Sequence, residues 1–131
     1  MQKRAINPTP WLQGFNMNHA IEVRGGERTR YLSGQTASAA DASALHPGDL
    51  VAQFQVAWDN LKAALSGADM QPGNVVRMNI YTTDVALFME KAEEIIPTFA
   101  KDGVQPVCTL LGISALYDPD LMVEIEATAV A

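Results

Sequence analysis

The last ten residues before the C-terminus alternate almost without fault. Leu121, Val123, Ile125, Ala127 and Ala129 fall on one parity, and Met122, Glu124, Glu126 and Thr128 on the other. Successive side chains of a strand point to opposite faces, so this run predicts a strand over 121–130 with one apolar face to be covered and one mixed face. A chain ending this way must build a sheet, and something must lie on one side of it.

The covering layer is legible upstream. Val51, Phe54, Trp58, Leu61 and Leu65 follow the spacing of one helix face, with Gln53, Gln55, Asp59 and Lys62 expected on the wetter side. Asp49, after Pro47-Gly48, is positioned to cap that helix, and Gly67 marks its end. A second helix is predicted after Thr83 or Asp84, with a stripe of Val85, Phe88, Ala92, Ile95 or Ile96, and Phe99. Pro97 should bend or shorten it, and Lys101-Asp102-Gly103 end it.

Between the helices, Val76, Met78 and Ile80 alternate with Arg77, Asn79 and Tyr81, which predicts a half-buried strand over 74–83. Residues 106–114 form a further expected strand, joined to the last by a turn at Tyr117-Asp118-Pro119-Asp120. Nearer the N-terminus, Pro8 and Pro10 suggest an irregular lead-in. Residues 16–24 and 28–33 read as two strands of a hairpin around Gly25-Gly26-Glu27. Residues 36–47, rich in Ala and Ser, read as a loop long enough to suggest a role. The predicted order is β-β-α-β-α-β-β, an α+β sandwich with two helices on one face of a mixed sheet, in one domain spanning 1–131. The other face, carrying Tyr81, Asn79, Met122 and Glu124, is of the kind that another subunit covers.

Charge excludes some functions. At net −6 the chain lacks the basic stripe that nucleic acid requires, so no nucleic-acid partner is expected. Arg24, Arg28 and Arg30 crowd together only at the expected hairpin end, where solvation is the simpler reading and an anion site the other. A single cysteine forms no internal disulfide, which fits a reducing cytoplasm. No apolar run reaches membrane-spanning length, and no apolar segment follows Lys3-Arg4, so a soluble cytoplasmic protein is expected. His19 and His46 are too far apart to suggest a metal site, and Gly25-Gly26 lacks phosphate-loop spacing. No metal and no cofactor is expected.

Two places invite chemistry. Ser33-Gly34-Gln35 ends a predicted strand with a hydroxyl and a residue permitting close backbone approach, or is simply a turn. Glu124 is a solvated strand glutamate or, if a subunit covers its face, a desolvated one shifted toward an acid/base range.

Several segments together resemble the Rid family of reactive-intermediate (enamine/imine) deaminases, also known as YjgF- or RidA-like proteins. These are Pro10-Trp11-Leu12-Gln13-Gly14, Tyr31-Leu32-Ser33-Gly34-Gln35, Asn60-Leu61, Val75-Val76-Arg77 with Tyr81 and Asp84, and Val123-Glu124-Ile125-Glu126-Ala127. The resemblance implies a chorismate-mutase-like fold, a homotrimer, and three sites in clefts between subunits. There a small 2-imino or 2-enamino acid would be hydrolysed to a 2-oxo acid and ammonia. It gives Glu124 the water-activating role, Ser33 and Gly34 the substrate-binding strand, and Trp11 a position where many members have a tyrosine reaching the neighbouring site. Thr109 and Leu110 complete the expected substrate contacts. The family's carboxylate-binding arginine falls on Cys108, in Pro106-Val107-Cys108, and Ala92 stands where some active members have asparagine.

A thiol does not replace a guanidinium that pairs bidentately with a carboxylate. The expectation is therefore a Rid-like protein with weak or no activity on standard 2-imino acids, acting on a differently charged small imine, enamine or related molecule. Alternatives are a non-catalytic trimer that binds a metabolite or has a regulatory role, and an enzyme using Cys108 as hydrolytic or acyl-transfer nucleophile. Arg77 is placed away from the cleft in this reading.

Overall fold

The computed structural model describes residues 1–131. Its strands are β1 (Gln2–Ile6), β2 (Ala20–Arg24), β3 (Thr29–Thr36), β4 (Val75–Thr82), β5 (Val107–Gly112) and β6 (Val123–Val130). Its helices are α1 (Leu50–Gly67), α2 (Val85–Glu90) and α3 (Ala92–Ala100). The main sheet has the order β3-β6-β4-β5, with β4 and β5 parallel and the other pairs antiparallel. The α+β prediction holds, with the helices on one face of a mixed sheet.

The N-terminal reading changes. Residues 2–6 are a strand rather than an irregular lead-in, and β1 pairs with β2 in a separate two-stranded sheet. β3 instead pairs with β6, so Gly25-Gly26-Glu27 joins two sheets and closes no hairpin. Gly25 has φ +73°, a conformation in which L side chains are strained, so this junction suits glycine. The chain only bends at Gly25, the Glu27 amide bonds the Ala131 carbonyl, and the distant C-terminal strand took the partner role.

Helix α1 forms as expected. Asp49 accepts a 3.1 Å bond from the Ala52 amide, and Leu50, Phe54, Ala57, Trp58, Leu61 and Leu65 are buried. Gln53, expected on the wet side, is fully buried instead. Its amide donates to the carbonyls of Leu45, His46 and Asp120, and its oxygen accepts from the Met122 amide. It thus ties two loops to the helix, and burial is tolerated because its polar atoms are paired.

The second predicted helix is two, divided at Lys91 (φ −95°, ψ 7°), while Pro97 lies inside α3. Val85 is 41% exposed and leaves the buried stripe. Gly103, at φ +79°, ends the run, with its amide bonded to the Ala100 carbonyl. Phe54 meets Phe88 and Phe99 at ring separations of 6.2 and 6.1 Å, and Trp58 meets Phe99 at 6.3 Å. Each buried aromatic side chain stabilises the fold by about 1.5–3 kcal/mol.

Met78, Ile80, Val123, Ile125, Ala127 and Ala129 present the sheet's apolar side to this layer. In β4 the pairing shifts between Val75 and Arg77, so Val75 is buried and Val76 only partly so. The bulge corrects the simple alternation expected there. Met122 also packs against the core rather than belonging to the mixed face.

Candidate functional site on the open sheet face

Residues paired across a sheet share a face, so the register lays out the uncovered side in rows. Tyr31, Thr128, Arg77 and Val107 form one row. Asn79, Glu126 and Thr109 form the next, and Tyr81, Glu124 and Leu111 the third.

Ser33 and Gly34 reach this face through an irregularity. The β3–β6 register shifts between Leu32 and Gln35, so the bulge lies on Ser33-Gly34, inside β3 rather than at its end. A Cβ on Gly34 would lie 2.0 Å from Glu124 Oε1 and 2.7 Å from its Cδ. The absent side chain at Gly34 is what gives the Glu124 carboxylate its place against β3.

The hydrogen bonds of the acidic rows go to Glu126. Asn79 Nδ2 donates to Glu126 Oε1 at 3.2 Å, and the Tyr81 hydroxyl donates to the same oxygen. The bond to Glu126 holds the Tyr81 hydroxyl above its usual ionisation range. Burial and the negative charges of Glu126 and Glu124 add to the effect. Glu124 and Glu126 are both half-buried. The face therefore combines one carboxylate fixed by two donors with another held by shape.

The other candidates go elsewhere. Cys108 pairs with buried Met78, and Leu110 with buried Ile80; both pack against the core on the helix-covered side. Burial pushes the Cys108 thiol up to about 12, so at neutral pH it is a protonated, weakly nucleophilic group. Thr109, on the opposite parity, joins the open face. Trp11 is 61% exposed and meets His19 edge-on at 5.7 Å. That segment adjoins the outer edge of β5, where the Asn18 amide bonds the Pro106 carbonyl. Within one chain, then, Ser33, Gly34 and Glu124 come together, Thr109 lies a row away, and Cys108, Leu110 and Trp11 stand apart.

The Glu126–Tyr81–Asn79 network is absent from the sequence reading. Alternation placed these residues on one face; only the β4–β6 register joins them. No group of three or more His, Cys, Asp or Glu converges on a metal-sized site, and no helix is long and apolar enough to cross a membrane.

Helices on one side of a mixed sheet, with a glycine-seated glutamate on the other, define a chorismate-mutase-like α+β protein. The Endoribonuclease L-PSP family profile matches residues 15–131. The chain belongs to that family, the Rid (YjgF) proteins. It is similar to the Rid protein YyfB of Yersinia pestis, whose function is unknown, at 32% identity and TM-score 0.88 over all of both chains. A Mycobacterium tuberculosis member of the YjgF/YER057c/UK114 family matches at 27% identity and TM-score 0.64, covering 99% of this chain and 100% of that one. Protein DfrA of Myxococcus xanthus is 33% identical over 114 residues, 87% of this chain and 84% of its own length.

Proposed function

We propose that the protein is a Rid-type hydrolase that deaminates a small imine or enamine in a cleft completed by other copies of the chain, as a homotrimer. The observation that carries this reading is the Glu124 carboxylate seated against Gly34 on the open face. Glu124 takes a proton from water as the oxygen adds to the imine carbon. The nitrogen then leaves as ammonia and the carbon becomes a carbonyl, so imine plus water gives ketone or aldehyde plus ammonia. An enamine enters the same route after tautomerising to its imine.

The row holding Glu124 contains Tyr81 and Leu111 and no cation. A substrate carboxylate beside Glu124 would meet like charge, which favours a substrate without one. Cys108 does not serve as nucleophile in this reading, because its thiol is turned into the core and protonated. The family profile's name refers to ribonuclease activity; with net charge −6 and two glutamates on the face, this chain is poorly suited to hold a phosphate backbone.

The test is ammonia release from a carboxylate-free imine generated in situ, compared with 2-iminopropanoate. The carboxylate-free substrate should turn over faster, and Glu124→Gln should reduce the rate by ~10²–10⁴-fold. Gly34→Ala places a methyl where the Glu124 carboxylate lies. Because only a flexible side-chain end is displaced, its melting temperature should change little while turnover falls. Undiminished ammonia release in Glu124→Gln overturns the proposal. Absence of release from either substrate leaves a metabolite-binding protein instead.

A further inference from the structure

The Ala- and Ser-rich loop after β3 is joined to the turn before β6 by a cluster of hydroxyls. The Tyr117 hydroxyl lies 2.5 Å from Ser38 Oγ and 3.2 Å from the Ala42 carbonyl, and Ser38 Oγ lies 2.6 Å from Thr36 Oγ1. A carbonyl only accepts and each hydroxyl has one proton, so a single direction satisfies them all. Tyr117 donates to Ala42, Ser38 donates to Tyr117, and Thr36 donates to Ser38. Every one of these bonds lies within one chain and does not depend on what covers the open face.

The relay ends beside Glu124. Thr36 is the cross-strand partner of Glu124, and its carbonyl also accepts from Asn60 Nδ2 at 3.0 Å. The β3–β6 register breaks between Leu32 and Gln35, so the ladder is interrupted where Gly34 meets the carboxylate. The clearance there is tight, since a Cβ on Gly34 would come within 2.0 Å of Glu124 Oε1. Any drift of the strand end alters that seat. Asn60 fixes the end from α1, and Tyr117 fixes it from the β5–β6 connection.

We propose that Tyr117 is a positioning residue for Glu124. Acting through Ser38 and Thr36, its hydroxyl holds the end of β3 so that Gly34 keeps the carboxylate in its seat. The proton of Tyr117 is committed to Ala42, so the residue does not serve as an acid for a leaving nitrogen. As a claim about turnover the inference rests on the hydrolytic reading; as a claim about where the carboxylate sits it does not.

The experiment therefore has two readouts on the full chain. The first is ammonia release from propan-2-imine generated in situ. Tyr117→Phe and Ser38→Ala should each lower kcat by ~3–10-fold with KM unchanged, the size expected from one lost hydrogen bond. The double variant should fall no further than either single one, because both break the same relay. Ser38→Thr keeps the hydroxyl and should recover most of the rate. The second readout is the carbon-13 signal of the Glu124 carboxyl, identified as the one missing in Glu124→Gln. Tyr117→Phe should move it, while the Glu126 signal, held by Tyr81 and Asn79, stays in place.

An unmoved Glu124 signal in Tyr117→Phe overturns the inference, whatever the rate does. Additive losses in the double variant overturn the relay through Ser38. A rate loss accompanied by dissociation of the assembly in sedimentation also overturns it, since Tyr117 then acts at a subunit contact. If the wild type releases no ammonia but the Glu124 signal moves in Tyr117→Phe, the hydrolytic reading fails and the positioning role stands.

Discussion

Cys108 shows how much the direction of one side chain decides. Its position in Pro106-Val107-Cys108 suggested the floor of a pocket between subunits, with a buried inert side chain favoured over a nucleophile, and the parallel pairing with Met78 turns the thiol toward the helices. The sequence could not show this, because Val-Cys-Thr-Leu-Leu has no clear alternation from which to read a face. Alkylation of Cys108 at neutral pH should be at least ~100-fold slower than that of free cysteine, since reaction requires the thiolate. Labelling at the free-cysteine rate would refute the buried placement. The same burial gives a pH signature. An unfolded thiol ionises near 9.0, whereas burial raises the folded one to about 12. The folded chain then holds a proton the unfolded chain has lost, so stability present below pH 9 drains away as pH rises toward 12. Denaturant melts should show wild type losing more stability than Cys108→Val between pH 9 and 11. Parallel losses would show that Cys108 does not report this burial. Glu124, by contrast, was legible directly, because it sits within a ten-residue alternation with a single solution.

At the scale of elements, the sequence specified type better than partnership. The helix stripe from Val51 to Leu65 and the cap at Asp49 located α1 to within a residue. Of the strand expected over 16–24 only Ala20–Arg24 forms, since Asn16 caps a 3-10 turn in the left-handed conformation, and its partner is β1 and not β3. Pairing is a contest between distant segments, so a glycine pair with turn character cannot settle it. The bulge at Ser33-Gly34 was equally hidden, since a shift in register is a relation between two strands. Gln53 makes the point energetically. It reads as polar and solvent-facing, yet it bonds the carbonyls of Leu45, His46 and Asp120 and the amide of Met122. Gln53→Leu keeps the volume but leaves buried backbone groups unpaired, which should lower stability by about 2–4 kcal/mol in chemical denaturation. A loss under 0.5 kcal/mol would mean that water replaces those bonds.

For the whole molecule, the open face is the feature that the chain alone leaves unfinished. Tyr31 is 84% exposed and Leu111 is 50% exposed on the same side as Glu124. Apolar area beside half-buried carboxylates suits contact with further copies, as the proposed homotrimer requires. Tyr31→Glu combined with Leu111→Glu should shift sedimentation toward the monomer while leaving the circular dichroism of the fold intact. Retention of the wild-type assembly by that double variant would place the contact elsewhere. By itself the sequence determined that the chain folds as helices over one side of a sheet, because periodicity is local and repeats along each element. It also determined that Glu124 and Glu126 share the uncovered side. Only the tertiary structure decided that Glu124 rests on Gly34, that Tyr81 and Asn79 hold Glu126, and that Cys108 faces inward. Those relations depend on strand order and register, which the whole core fixes together when it packs.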